Sequence, residues 1–366
     1  MDFNFSDDQE QLRAAVRRWV EKSYPFTRRR AIVAAGGFAR EVWQELADLG
    51  LTALCVPEAY EGLGQSSVDA MVAMEELGRG IVLEPLVQAF VASTLLAAHA
   101  DAALQAAWLP RIAKGTALVV LAHQERQARY QLGVCDATAA QIGTGYALTA
   151  TKSIVPAGDQ ADAFLVPAQL DGALALFLVE RSAPGVATSG YLTQDGSRAA
   201  ELRLANAPAT LVTRAGLAAL EFGVDTGIAA HCAEAVGAME QTLSITIDYL
   251  QQRKQFGVPI ASFQALRHRV ADMKMQLELA RSMSYYASLS LAEPPEARRR
   301  AIARAKVQLG QSMRFVGQQA VQLHGGIGVT DEYIVSHYFK KLTQLEMLYG
   351  DTLHHLGEVS ARMQDT

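Results

Sequence analysis

Cysteine is scarce in this chain. Cys55, Cys135 and Cys232 are the only three among 366 residues; they are odd in number, far apart and outside any CxxC pair, which excludes a disulfide framework or a cysteine-spaced zinc site. A reducing cytoplasm fits that usage. Long apolar runs are also missing: none reaches the roughly 18 residues that suggest a membrane span. The opening Met1-Asp2-Phe3-Asn4-Phe5-Ser6-Asp7-Asp8 is acidic where a signal or transit peptide would be basic, so we expect neither export nor a membrane partner. There is no basic surplus either. With 38 acidic residues against 33 Lys and Arg and a net charge of −5, the chain has no broad field for a polyanion, and nucleic acid is excluded as a main partner. Tandem repeats and low-complexity tracts are absent. What is present is a half-apolar sequence, 50% hydrophobic and 19% charged, able to bury a large core in two or three structural units.

The texture changes twice along the chain. Residues 1–115 read as helical, opening on Ser6-Asp7-Asp8-Gln9, an N-cap with Gln9 in the capping-box position. The Pro and Gly of Val56-Pro57-Glu58 and Gly62-Leu63-Gly64 mark a loop before a helix carrying Glu75 and Glu76. Residues 116–215 break into short apolar runs, Leu118 to Ala122, Ala163 to Val166 and Leu174 to Val179, at strand spacing. Residues 216–366 return to long helices with one turn at Glu293-Pro294-Pro295-Glu296. Phe263, Leu266, Val270, Met273, Leu277 and Ala280 form a stripe spaced 3, 4, 3, 4, 3, which fits either an intrachain bundle core or a subunit-assembly helix. Gly310 and Gly317, seven apart, would let a neighbour approach one face closely.

Two segments carry the chemistry. Arg253-Lys254-Gln255-Phe256-Gly257-Val258-Pro259, running on to Gln264, reads as a helix end, a Gly-Pro turn and a new helix, with a cation and two amides at the break. An Arg fork there can hold a pyrophosphate bidentately while the amides read adenine or ribose edges; alone, the same Arg could simply cap helix carbonyls. Gln322-Leu323-His324-Gly325-Gly326-Ile327-Gly328 offers either a plain helix C-cap or backbone that a cofactor can approach with no Cβ in the way.

Together and in this order, the two segments resemble the acyl-CoA dehydrogenase family, and the resemblance covers essentially the whole chain. Val56-Pro57-Glu58, Glu75-Glu76-Leu77-Gly78-Arg79 and Gly145-Tyr146-Ala147-Leu148 with Lys152 look like its N-terminal and central domains. The resemblance implies a mainly α fold with a central β-domain: an N-terminal helical domain, a β-barrel-like or sandwich middle and a C-terminal four-helix bundle. It also implies FAD held by Arg253, Gln255, Phe256 and Gln264 of one subunit, and by Gln322, Leu323, Gly325 and Gly326 of its partner. His123, Gln124, Ile154, Pro156, Thr352 and His354 complete the implied cofactor-binding set. The central domain departs from the family pattern. Gln124 to Gln131 replaces a Thr-Glu-Pro-x-x-Gly-Ser-Asp loop, keeping only Glu125, and Ser153-Ile154-Val155-Pro156 lacks the aromatic and Thr that usually border the flavin.

The family reaction, α,β-dehydrogenation of an acyl-CoA with hydride transfer to flavin N5, needs a desolvated carboxylate as base and donors on the thioester oxygen. Relatives place the Glu in Tyr-Glu-Gly-Thr; here Tyr349-Gly350-Asp351-Thr352 puts Gly350 there. The family's other base position falls on Gly227, with Asp225 nearby but out of register. Gly350 could still donate its N–H. Asp351 stands as a shifted base or a helix N-cap, and His354-His355 as catalytic or cofactor-edge histidines. The pattern is most similar to base-less small subunits of α2β2 acyl-CoA dehydrogenases, including pimeloyl-CoA and steroid side-chain enzymes. That implies a paralogous partner or a homo-oligomer, an acyl-CoA substrate and an electron-transfer flavoprotein as acceptor. A non-catalytic FAD-binding assembly subunit and a flavin oxidase of the same fold are the alternatives.

Overall fold

The computed structural model describes residues 5–143 and 145–363, so the expectation drawn from Met1 to Asn4 lies outside the described residues. Helices α1 (Asp7–Ser23), α2 (Phe26–Ala34), α3 (Arg40–Asp48), α4 (Ser67–Arg79), α5 (Leu86–His99) and α6 (Ala102–Ala113) come first. Strands follow: β1 (Val119–Leu121), β2 (Thr138–Ile142), β3 (Gly145–Pro156), β4 (Ala163–Leu170), β5 (Ala173–Glu180), β6 (Val186–Leu192) and β7 (Arg198–Thr213). Then α7 (Gly216–Gln252), the hairpin β8 (Lys254–Gln255) and β9 (Val258–Pro259), α8 (Gln264–Ser290), α9 (Pro295–His324), α10 (Ile334–Met347) and α11 (Thr352–Met363) complete the chain. The fold is mainly α with a central β region, as the sequence implies.

The start of α1 is what its sequence dictates. Ser6 Oγ accepts from the Gln9 amide at 3.2 Å while Gln9 Oε1 accepts from the Ser6 amide at 3.1 Å, the reciprocal capping box.

Two compact units form, and they do not follow chain order. One takes the stretch up to Arg29, Met71–Val82 and everything from Ile228 on. Within it, Glu76 accepts from Arg17 through both oxygens, at 2.6 and 2.9 Å. Here α4 and α7 cross with their backbones in contact, because a Cβ on Gly78 would run into the Glu234 carbonyl and one on Gly237 into that of Glu75. Gly310 and Gly317 act as their spacing suggests, meeting Thr352 at the head of α11 and Phe339 on α10. The α8 stripe divides: Met273, Leu277 and Ala280 are buried, whereas Phe263 stays exposed and Leu266 and Val270 half-buried.

The other unit holds Arg30–Ala70 and Leu83–Gly227. Its sheet closes on itself: β4 pairs β2, β2 pairs β3, β3 pairs β7, β7 pairs β5, and β5 returns to β4, with β1 parallel to β4 and β6 on β7. Closure removes the free edges that an open sheet of these apolar strands would expose. Lys152 spans the interior, donating to Glu125 Oε1 at 2.6 Å and to the Pro167 carbonyl at 2.9 Å. Glu125 also receives the amides of Asp136 and Ala137, so this buried pair fixes both ends of the divergent 126–136 loop.

Candidate active site

The Arg253 segment is a hairpin rather than a Gly-Pro turn. Lys254 pairs with Pro259 and Gln255 with Val258, and the two residues between, Phe256 at φ +54° and Gly257 at φ +80°, are both left-handed. That is the turn whose twist suits a two-residue hairpin, and Gly257 adopts it without strain. The hairpin thrusts Phe256 into solvent at 91% exposure, with the edge of Phe263 beside it at 6.1 Å. Arg253 is exposed, and its guanidinium makes no hydrogen bond or ion pair among the described residues.

At the end of α9, Gly325 takes φ +65° and ψ −141°, a conformation nearly confined to glycine, with its amide turned back to the Gln322 and Val321 carbonyls. It is a C-cap and an open surface at once: a Cβ built on Gly325 or Gly326 meets nothing within 4 Å. Both motifs line one pocket of about 330 Å³ in a single chain, where Arg253, Gln255, Tyr249, Gln322, Leu323 and Gly325 converge. Within this chain the two motifs share one wall. Phe256, Gln264 and Gly326 are not among the lining residues.

His324 also lines this pocket, stacked on Tyr249 with centroids 4.4 Å apart. Its Nδ1–H donates to the Ala320 carbonyl at 2.8 Å, leaving Nε2 buried and without a hydrogen-bond partner among the described residues. Burial pushes its pKa down, so the ring is neutral and Nε2 is an acceptor awaiting a donor. An unpaired cation, an orphaned acceptor and bare glycine backbone fit the pyrophosphate and the nucleoside hydroxyls and amine of FAD.

In the β-domain, His123 and Gln124 follow β1, and the Gln124 carbonyl accepts from the Ser153 amide at 2.8 Å, which ties this stretch to β3 next to Ile154. Burial, then Lys152, lowers His123 to about 4, so it is neutral. Ile154 lies exposed at φ +52° in the irregularity between Lys152 and Val155, and Pro156 ends the strand half-buried.

The loop after α10 is held from several sides. Tyr349 and Gly350 have φ +57° and +111°. The Asp351 carboxylate accepts from the His354 amide at 2.8 Å, so it caps α11, the second of its two sequence readings. Thr352 turns inward, its amide and hydroxyl both donating to Glu346 Oε1 at 3.0 and 2.6 Å, and is thus committed to the interior. Lys306 reaches the Leu345 and Leu348 carbonyls at 2.6 and 2.8 Å. His355 Nε2–H donates to the Tyr349 carbonyl at 3.0 Å, and burial followed by Lys306 lowers this ring to about 3. His354 lies half-buried, edge-on to His355 at 5.0 Å.

Between them the two histidines fill the space beside Gly350. A Cβ there would come within 2.6 Å of both His354 Cδ2 and His355 Nε2. The Gly350 N–H has no acceptor among the described residues. Sequence reasoning passed over a trio nearby, the half-buried His231 with the buried Glu234 and Lys341, whose only signal is a Glu three residues after a His on one helix.

The two helical ends match family models described as acyl-CoA dehydrogenase, N-terminal domain, over residues 6–116, and acyl-CoA dehydrogenase, C-terminal domain, over 215–364. Among curated relatives, acyl-CoA dehydrogenase IpdE2 of Mycobacterium tuberculosis is 31% identical, covering 92% of this chain and 91% of its own. Acyl-CoA dehydrogenase FadE27 of the same organism is 29% identical over 90% of this chain and 89% of its own. Of solved structures, the ChsE4-ChsE5 complex from Mycobacterium tuberculosis superposes with a TM-score of 0.91 at 27% identity over the full length of both chains. Fold, cradle and matches agree that the chain belongs to the acyl-CoA dehydrogenase family of FAD-dependent oxidoreductases.

Proposed function

We propose that this chain is one subunit of a hetero-oligomeric acyl-CoA dehydrogenase, in which a paralogous subunit supplies the catalytic carboxylate. The observation that carries this reading is the packing at Gly350: the usual base position is filled by His354 and His355, so the loop is built around a residue without a side chain. The likeness to a chain of the ChsE4-ChsE5 complex supports the pairing.

In this reading Arg253 binds the FAD pyrophosphate, Gln255 and Gln322 take its polar edges, and His324 Nε2 accepts a donor from the nucleoside end. Gly325 and Gly326 admit it closely. Bound flavin supplies the hydride acceptor for the substrate β-carbon. The Gly350 N–H donates to the thioester oxygen, favouring the charge that builds there once the α-proton leaves. An electron-transfer flavoprotein in the cytoplasm would serve as the electron acceptor.

The test is co-expression with an encoded paralogue carrying Tyr-Glu-Gly-Thr or an equivalent, followed by a flavin count per chain and anaerobic addition of acyl-CoA thioesters of graded chain length. A stable mixed oligomer whose flavin bleaches is expected, with bleaching at the paralogue's half-site lost when its Glu becomes Gln. Bleaching undiminished by that change removes the division of labour, and a mixed oligomer that binds no flavin removes the reading altogether.

A further inference from the structure

The loss of a carboxylate at Gly350 does not leave the loop without a proton acceptor. On α7, His231 Nδ1 lies 2.8 Å from Glu234 Oε2, and the other Glu234 oxygen accepts from Lys341 Nζ at 2.6 Å. With a carboxylate on Nδ1, that nitrogen carries the proton and Nε2 keeps its lone pair. Nε2 has no hydrogen-bond partner among the described residues, and 12% of the side chain is still accessible. The imidazole ring is 5.8 Å from that of Tyr349, the residue before Gly350. Along its own helix, His231 lies four residues beyond Gly227, the family's other base position.

We propose that His231, oriented by Glu234, is the proton acceptor that this chain contributes beside the Gly350 loop. The proposal rests on the acyl-CoA dehydrogenase reading and deepens it: the partner's carboxylate serves one half-site and His231 the other. In the step, the substrate Cα–H bond breaks and the proton passes to His231 Nε2, giving an imidazolium. The electron pair stays on the thioester as an enolate, to whose oxygen the Gly350 N–H can donate; a bound flavin would supply the acceptor for the β-hydride.

The surroundings suit that role. His231 faces Glu234 on α7, Lys306 on α9, Lys341 on α10 and the Tyr349 ring in the loop. Burial and the two lysines outweigh Glu234 and lower its pKa below the ordinary 6.5, so the ring is neutral and able to accept near pH 7. Burial would raise Glu234, but Lys341 and His231 overcome it and hold the carboxyl at about 2. A fixed carboxylate therefore stands ready to stabilise the imidazolium when it forms, the geometry expected of a base with its orienting group.

The experiment follows α-proton exchange, which needs no turnover. The full-length, FAD-loaded chain is incubated in D2O with 3-thiabutanoyl-CoA and 3-thiaoctanoyl-CoA, whose α-protons the sulfur acidifies; deuterium uptake is read by mass spectrometry and binding by calorimetry. In wild type, exchange should show an acid limb below pH 6.5. In His231→Gln, which can keep a hydrogen bond to Glu234, and in His231→Phe, exchange should fall on the order of 10²- to 10⁴-fold with thioester affinity nearly unchanged. Exchange that is equal in wild type and His231→Gln overturns the proposal, as does a wild-type chain that binds a thioester without exchanging it. Failure to bind either thioester strikes the acyl-CoA dehydrogenase reading instead.

Discussion

The hairpin-and-glycine cradle and the Gly350 loop belong to the same compact unit, yet they are built on opposite principles. In the cradle the groups are left open: Arg253 unpaired, Phe256 almost fully exposed, His324 Nε2 orphaned and two glycines facing empty space. Around the loop most groups are spent on the protein itself, with Asp351 capping, Thr352 and Lys306 satisfied internally and His355 on a carbonyl. Open valence marks a surface waiting for a ligand; internal satisfaction marks a shape held against change.

Substitutions should therefore split into those that unfold and those that only release flavin. The largest effect is expected at Lys341→Ala, which leaves the buried Glu234 carboxylate with His231 but no cation and should cost about 3–5 kcal/mol, read as a lowered denaturant midpoint. Gly350→Glu comes next. Against a positive φ and two histidine rings it should destabilise by about 1–3 kcal/mol and fail to install a working base, so flavin bleaching by acyl-CoA should not improve. Arg253→Gln should leave the unfolding midpoint unchanged while weakening FAD about 10- to 100-fold in a fluorescence titration, the loss of a charge-assisted contact. Smallest for stability is Gly326→Ala, within about 0.5 kcal/mol, although its FAD affinity should still drop; a stability loss as large as that at Gly350 would erase the contrast.

Acidity sharpens the same comparison. The His355 pKa is about 3 when folded against 6.5 as the ordinary value, so between these values the unfolded chain binds the extra proton and the folded one does not. Stability then falls as pH drops through that window, and His355→Gln should flatten this part of the urea-midpoint profile.

Much of this was legible from sequence where the signal is local. Ser6 and Gln9 announce their capping box, the short apolar runs their strands, and Gly310 and Gly317 their close contacts, because each depends on neighbours within a few residues or on plain periodicity. The Arg253 hairpin escaped because two-residue strands have no period to detect. Asp351 could not be resolved between cap and base, since both need a carboxylate at the head of a helix. The α8 stripe revealed a face but not its covering: from Met273 onward this chain supplies it, and before that Phe263 is left bare. The His231 trio joins α7 to α10 across more than a hundred residues, and no local pattern reports such a meeting.

The order in which that unit is assembled has a bearing on its birth. Helix α1 leaves the ribosome about two hundred residues before the stretch from Ile228 that completes its unit. At about 5–20 residues per second, α1 and its apolar face spend roughly 10–40 s without their full complement. The nascent chain therefore has to shelter Val16, Trp19 and Val20 for that interval, and truncation anywhere before α7 would leave them only the Met71–Val82 segment of their unit for cover.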